Sequence, residues 1–202
     1  MLTITSPLAL WSFKQELLYV GMAFVIVLLL PLAGVVVLTT TGINVVSEAL
    51  IEADTQTNHI EIKNPLDGTV VTTINKPYVW PVAGVITLEF GESSGYQLFH
   101  TGIDIANPNG RVGDPIKAFM DGKVTHTGET QLGYGKHIII DHGDNINTVY
   151  AHLDRIFVVK EQEVVFGQVI GREGSTGWST GTHLHFEIRV YGIPINPRTF
   201  LH

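Results

Sequence analysis

The sequence predicts a mostly β domain with antiparallel pairing, preceded by one membrane-spanning helix. Three observations carry this. After residue 65, short Val- and Ile-rich runs alternate with turn residues, drawing on the chain's 21 glycines and 9 prolines. No segment after residue 55 carries a helical stripe of ten or more residues. Leu17 to Leu38, by contrast, runs for 22 residues without a charge.

A chain of 202 residues, 45% of them hydrophobic, suffices for one well-cored domain plus an appendage, but hardly for two full domains. Its formal net charge of −7 and the lack of a basic stripe argue against nucleic-acid binding. The absence of cysteine excludes a disulfide framework, a thiolate metal site and a cysteine nucleophile, and fits either redox compartment.

Residues 1–16 form a short segment whose only side-chain charges are Lys14 and Glu16, expected on the cytoplasmic side. Residues 17–38 are the expected transmembrane anchor, since a helix of that length spans roughly 33 Å. A soluble core helix is rarely apolar on every face for six turns. A cleaved signal peptide is the stronger rival, but the run exceeds a typical signal core and no Ala-x-Ala site follows before Thr39-Thr40-Thr41-Gly42. Lys14 before the span, with Glu48, Glu52 and Asp54 after it, places the N-terminus inside and the remainder outside. Residues 39–77 read as a stalk or leading strand, with a turn at Asn64-Pro65-Leu66-Asp67-Gly68. Residues 78–202 form the folded domain. Within it, Val85 to Phe90, Pro115 to Phe119, Gly122 to Thr127, His137 to Asp141, Thr148 to Leu153 and His183 to Val190 are the expected strands.

Three motifs supply chemistry: His100 with Asp104, His152, and His183 with His185. Strand alternation turns His183 and His185 to one face and Leu184 and Phe186 to the other. A catalytic zinc takes three nitrogen or oxygen ligands and keeps a position open for water. His100, Asp104 and one member of the pair would supply the three, leaving the other member and His152 to move protons. His59, His126, His137, His142 and His202 lack such partners and read as ordinary surface or core residues. Glu187 falls on the cleft side of its strand, either orienting a ligating histidine or standing at the rim.

His100-Thr101-Gly102-Ile103-Asp104, Tyr150-Ala151-His152-Leu153, and Gly174-Ser175-Thr176-Gly177 leading to Thr182-His183-Leu184-His185-Phe186-Glu187 together resemble the lysostaphin or LytM-like zinc endopeptidases of peptidoglycan. The resemblance covers roughly residues 78 to 201. It implies a small twisted β-sheet with an open groove, and one zinc ion per chain held by His100, Asp104 and His185. It further implies that His152 and His183 are the catalytic pair. Tyr134, in Leu132-Gly133-Tyr134-Gly135, looks like the aromatic that relatives present to substrate, or else a turn aromatic that caps the sheet. Glu161 departs from the pattern, standing where relatives often have glycine. Gly102 is expected to let the backbone bend so that both ligands reach one ion.

The function expected is a membrane-anchored, zinc-dependent endopeptidase that cuts peptide cross-links of bacterial peptidoglycan through a zinc-activated water. The alternative is a catalytically silent envelope module that regulates or scaffolds other wall hydrolases, although relatives of that kind typically lose site residues that are all present here. Stem or cross-bridge peptides and the membrane are the expected partners. A larger envelope, conjugation or viral assembly is also open, including a place within a membrane-containing virus particle.

Overall fold

The computed structural model describes residues 7–54, 59–64, 66–94, 97–107 and 113–200, without the side chains of 7–13, 28, 31–39, 53–54 and 59. His202, residues 1–6 of the expected cytoplasmic segment and Pro65 of the expected turn lie outside it. The chain divides into two units, residues 1–41 and 42–202.

The first unit is helical. Helix α1 runs Pro7–Leu50, its last nine residues belonging to the second unit, and it is unbroken through the expected anchor. Its first residue is proline, which suits a helix start because the missing N–H would have no partner there. Tyr19, Phe24, Val27 and Leu30 are all more than half exposed. Among the described residues no helix is long and apolar enough to cross a membrane. Much of the Leu17 to Leu38 run, namely 28 and 31–38, falls on side chains outside the description.

The second unit begins with a difference from expectation. Residues 39–77, expected as a stalk or leading strand, hold a helix end and three strands. The helix continues to Leu50, and an antiparallel meander follows: β1 (Ile51–Asp54), β2 (His59–Lys63) and β3 (Val70–Ile74). Leu50, Ile60, Ile62 and Ile74 are buried, so the brief apolar runs of this stretch have a core to enter. Asn64 turns the chain between β2 and β3, its side-chain oxygen accepting from the Leu66 N–H at 2.9 Å.

The main sheet is built from β4 (Val85–Leu88), β5 (Ile103–Ala106), β7 (Gly122–Glu129), β8 (Lys136–Asp141), β9 (Ile146–Leu153), β11 (Glu163–Val164), β13 (Leu184–Val190) and β14 (Ile193–Ile195). Its order is β11-β7-β8-β9-β13-β5-β4, with β14 also on β13, and every pair is antiparallel. A smaller sheet pairs β10 (Arg155–Ile156), β12 (Val169–Arg172) and β6 (Pro115–Lys117). After residue 55 the only described helix is a short 3-10 turn, Pro197–Thr199, capped by Asn196. The mostly antiparallel β fold is therefore as expected. Strands β5, β10, β11, β12 and β14 were not foreseen; each is two to four residues long, too short for alternation to identify a strand.

The core lies against one face of the main sheet. Leu184, Phe186, Ile188 and Val190 point into it with Ile103, Ile105, Ile138, Ile140 and Tyr150. Phe119 sits at its centre, 5.5 Å from the rings of Tyr78 and Phe200 and 5.7 Å from Phe186. On β5 and β13 the opposite face carries Asp104, His185, Glu187 and Arg189.

Candidate metal centre

Strand register assembles the site. Asp104 on β5 pairs with His185 on β13, and His185 pairs on its other side with Ala151 on β9. His152 therefore follows one residue beyond the centre. His183 precedes β13 and bridges to Gly174, its N–H donating to the Gly174 carbonyl at 3.1 Å. His100 precedes β5 and is tied at both backbone groups to the 89–92 turn: its N–H donates to the Glu92 carbonyl, and its carbonyl accepts from Gly91, each at 2.9 Å.

Gly102 allows this by its size. A Cβ there would lie 2.2 Å from the Phe186 carbonyl oxygen, so β5 approaches β13 only because position 102 has no side chain. Its φ is not in the left-handed region, so close approach rather than a special bend explains the glycine. His152 does take a left-handed φ of 62°, at the end of a strand that faces a β8 bulge between Lys136 and Ile138. Such strain persists where surroundings over-determine it. Here the His152 N–H is held by the Tyr134 carbonyl at 2.8 Å. Glu161 also has positive φ, 71°, the conformation that favours the glycine expected at that turn.

Three atoms converge: His100 Nε2, Asp104 Oδ1 and His185 Nδ1 lie 3.0, 2.9 and 2.9 Å from one another. The far ring nitrogens are hydrogen-bonded, and that sets the tautomers. His100 Nδ1–H donates to the Glu89 carbonyl at 3.1 Å, and His185 Nε2–H to Glu187 Oε1 at 3.0 Å. Two lone pairs and a carboxylate therefore face one point, an arrangement that is repulsive unless a cation sits there. The two histidines are buried, while Asp104 is 15% exposed at its side chain. The donor set fits a divalent metal of the zinc type.

The electrostatics agree. Burial opposes ionisation of Asp104, but the adjacent imidazoles of His100 and His185 outweigh it and hold the carboxyl well below the usual range. Burial also opposes charge on His185, yet hydrogen bonds to Asp104 and Glu187 raise it to about 9.

His152 and His183 stand beside the triad with ring centroids 4.7 Å apart. Each donates Nδ1–H to a backbone carbonyl, Thr176 and Gly181 respectively, both at 2.8 Å. Each thus presents a free Nε2. That of His183 is buried without a hydrogen-bond partner, 3.5 Å from Asp104 Oδ2. Burial, then the neighbouring His183, pushes His152 down to about 4.

Beneath His185, the fully buried Glu187 accepts from Thr101 Oγ1 at 2.5 Å and the Tyr134 hydroxyl at 2.7 Å, besides His185. Arg189 forks onto its second oxygen with Nε at 2.7 Å and Nη2 at 2.6 Å. Thr101 and Arg189 were missed in the sequence, although Arg189 lies two residues beyond Glu187 on the same strand face. The Tyr134 ring borders a hollow of about 310 Å³, while its hydroxyl is taken by Glu187 and Arg189.

The triad opens into a groove of about 350 Å³ lined by Thr87, Gln97, His152, Trp178 and His183. Trp178, 54% exposed, also borders the 310 Å³ hollow and so stands between the two. A larger hollow of about 860 Å³ around Trp80 and Lys117 contains none of these groups. His126 and His137 stack on each other at 5.0 Å, and His142 is a satisfied core histidine between the Asp121 carbonyl and Thr148. None of the three joins the triad.

Comparison with known proteins agrees with this geometry. The model of peptidase family M23 matches residues 98–197. The murein hydrolase activator NlpD of Salmonella dublin is 45% identical over 122 residues, 60% of this chain and 30% of that protein. The DD-carboxypeptidase/endopeptidase Mpg of Neisseria meningitidis is 48% identical over 98 residues, 48% of this chain and 22% of that protein. The chain thus spans less than a third of the length of these curated relatives. Among solved structures, a variant catalytic domain of the prophage-encoded M23 protein EnpA from Enterococcus faecalis superposes with a TM-score of 0.52 at 37% identity, over 63% of this chain and 97% of that one.

Proposed function

The chain belongs to peptidase family M23, and from that premise we propose that it is a zinc-dependent endopeptidase of peptidoglycan cross-links, tethered to a membrane by the helix containing Leu17 to Leu38. The observation that carries the chemistry is the convergence of His100 Nε2, Asp104 Oδ1 and His185 Nδ1 within 3.0 Å, with two further imidazoles presenting free Nε2 atoms beside it.

His100, Asp104 and His185 would hold the metal, which when bound supplies Lewis-acid polarisation of the scissile carbonyl and activation of water as nucleophile. His152, neutral near pH 7, accepts a proton at Nε2 and passes it to the leaving amine. His183 holds its unpartnered Nε2 beside the metal ligands, where it is placed to contact the attacking water or the carbonyl oxygen on which charge builds. The 350 Å³ groove holds the peptide across these groups, with Trp178 on its rim.

The anchor rests on 22 charge-free residues within one unbroken helix and on the charges that flank them. Tethering would concentrate the domain at the wall, alone or within a larger envelope, conjugation or viral assembly. Release of new amino groups from purified walls should require zinc, stop with a chelator and resume when zinc is restored. A zinc-loaded protein that releases none from any of several wall types would end this reading.

The 45% identity to a protein named as a hydrolase activator favours a second reading, in which the domain stimulates another wall hydrolase. Stimulation of a purified wall hydrolase by the His152→Ala variant as strongly as by the unchanged protein would support it.

A further inference from the structure

We propose that Tyr134 and Arg189 are positioning residues of the metal centre, locking the Glu187 carboxylate so that His185 carries its proton on Nε2 and keeps Nδ1 bare for the metal. This rests on the metal-centre reading above.

Glu187 is fully buried, and an isolated carboxylate in such a place is strongly disfavoured. Here it is saturated. Oε2 receives the Arg189 fork, and Oε1 receives Thr101, Tyr134 and His185. The Tyr134 hydroxyl closes a ring: it accepts from Arg189 Nη2 at 2.8 Å, and its own proton then has Glu187 as acceptor. Arginine can only donate, so the direction of every bond in the ring is fixed. A carboxylate that accepts five hydrogen bonds, one pair from a guanidinium, remains ionised and has no proton to give to His185. The Nε2 atom of His185 must therefore be the donor, which leaves the Nδ1 lone pair beside His100 Nε2 and Asp104 Oδ1. The Arg189 charge cancels that of Glu187, so the carboxylate orients the ring without adding net charge beneath the centre.

A tyrosine that only touched substrate would raise KM and leave the metal alone. The test uses the full chain, stripped of metal and titrated with zinc against a chromophoric chelator, followed by long-range proton–nitrogen spectra of the zinc-loaded protein. Tyr134→Phe, which removes one oxygen, and Arg189→Met should each lower zinc affinity about 10- to 100-fold. Both should also release the His185 Nε2 proton from slow into fast solvent exchange. Arg189→Lys keeps the charge without the fork and should fall between them and the unchanged protein. Zinc affinity and His185 signals unchanged in Tyr134→Phe and Arg189→Met, with a zinc-binding parent, overturn this inference alone. A parent that binds no zinc overturns the metal-centre reading, and this inference with it.

Discussion

One methyl group at position 102 should break the site around it. A Cβ on Gly102 would lie 2.2 Å from the Phe186 carbonyl oxygen and 2.9 Å from both the Phe186 carbonyl carbon and Glu187 Cγ. Ordinary contact begins near 3.4 Å, so β5 and β13 must part by about 1.2 Å at this point. Strand β13 cannot easily yield, because β9 holds it on the other side at His185↔Ala151 through Val190↔Ile146. Replacing glycine also stiffens the unfolded chain, which favours folding by about 0.4–1 kcal/mol. The overlap is with backbone, and overpacking of this kind costs about 1–3 kcal/mol or more. The net expectation is a loss of about 2 kcal/mol, or about 4–8 °C in melting temperature for a domain of this size. Because Gly102 lies between His100 and Asp104, zinc affinity should fall at least about tenfold as well. Thermal unfolding of metal-free protein and a zinc titration measure both. Gly181→Ala is the control: nothing lies within 4 Å of a Cβ there, and it should stay within about 0.5 kcal/mol of the parent. A Gly102→Ala protein that melts within a degree of the parent and binds zinc equally would refute the close-approach reasoning.

Alanine at His100, Asp104 or His185 should abolish zinc binding in a metal-content assay. Alanine at His152 or His183 should leave zinc bound and remove turnover. Loss of zinc from the His183 variant together with retention by the His185 variant would reverse those roles. Buried Glu173 is pushed up to about 7 by burial and then by Asp114, against a smaller lowering by a hydrogen bond from the Asn107 backbone. Between its ordinary 4.5 and about 7 the folded state keeps a proton that the unfolded state has lost, so stability should fall as pH rises through that window and level off above it. Glu173→Gln should flatten this fall between pH 5 and 8 in melting curves; an unchanged slope would count against it. Val27→Lys together with Leu30→Lys should move the full chain from the membrane fraction to the soluble fraction, and membrane retention of that variant would argue against the anchor. Trp178→Ala should raise KM for wall peptides severalfold with zinc affinity unaltered, since the indole borders both hollows and is not one of the three converging groups.

The strands that build the site were legible where they were long. His185 and Glu187 alternate with Leu184 and Phe186, and that period alone assigned a polar and an apolar face. Strand β5 was not read as a strand, because its alternation of buried Ile103 and Ile105 with Asp104 and Ala106 lasts only four residues, yet its register opposite β13 is what brings Asp104 to His185. The three strands within residues 39–77 were not legible for a related reason. The runs at Ile60, Ile62 and Ile74 are too brief to announce a sheet, and only mutual pairing gives them a core. Gly102 was singled out correctly but for a bend, when its role is steric room beneath a neighbouring strand, a property of tertiary contact that local sequence does not carry. Arg189 was overlooked although alternation put it on the cleft face, since an arginine near a strand end reads as a solvated charge until its carboxylate partner is known to be buried.

The most direct test of the metal-dependent hydrolase is mass spectrometry of fragments released from walls of known cross-bridge chemistry, comparing the zinc-loaded chain, the chelated chain and the His152→Ala variant. Uncross-linked peptides with a new free amine, from the zinc-loaded chain only, are the predicted result. Identical fragment spectra from all three samples across glycine-bridged and directly cross-linked walls would contradict it.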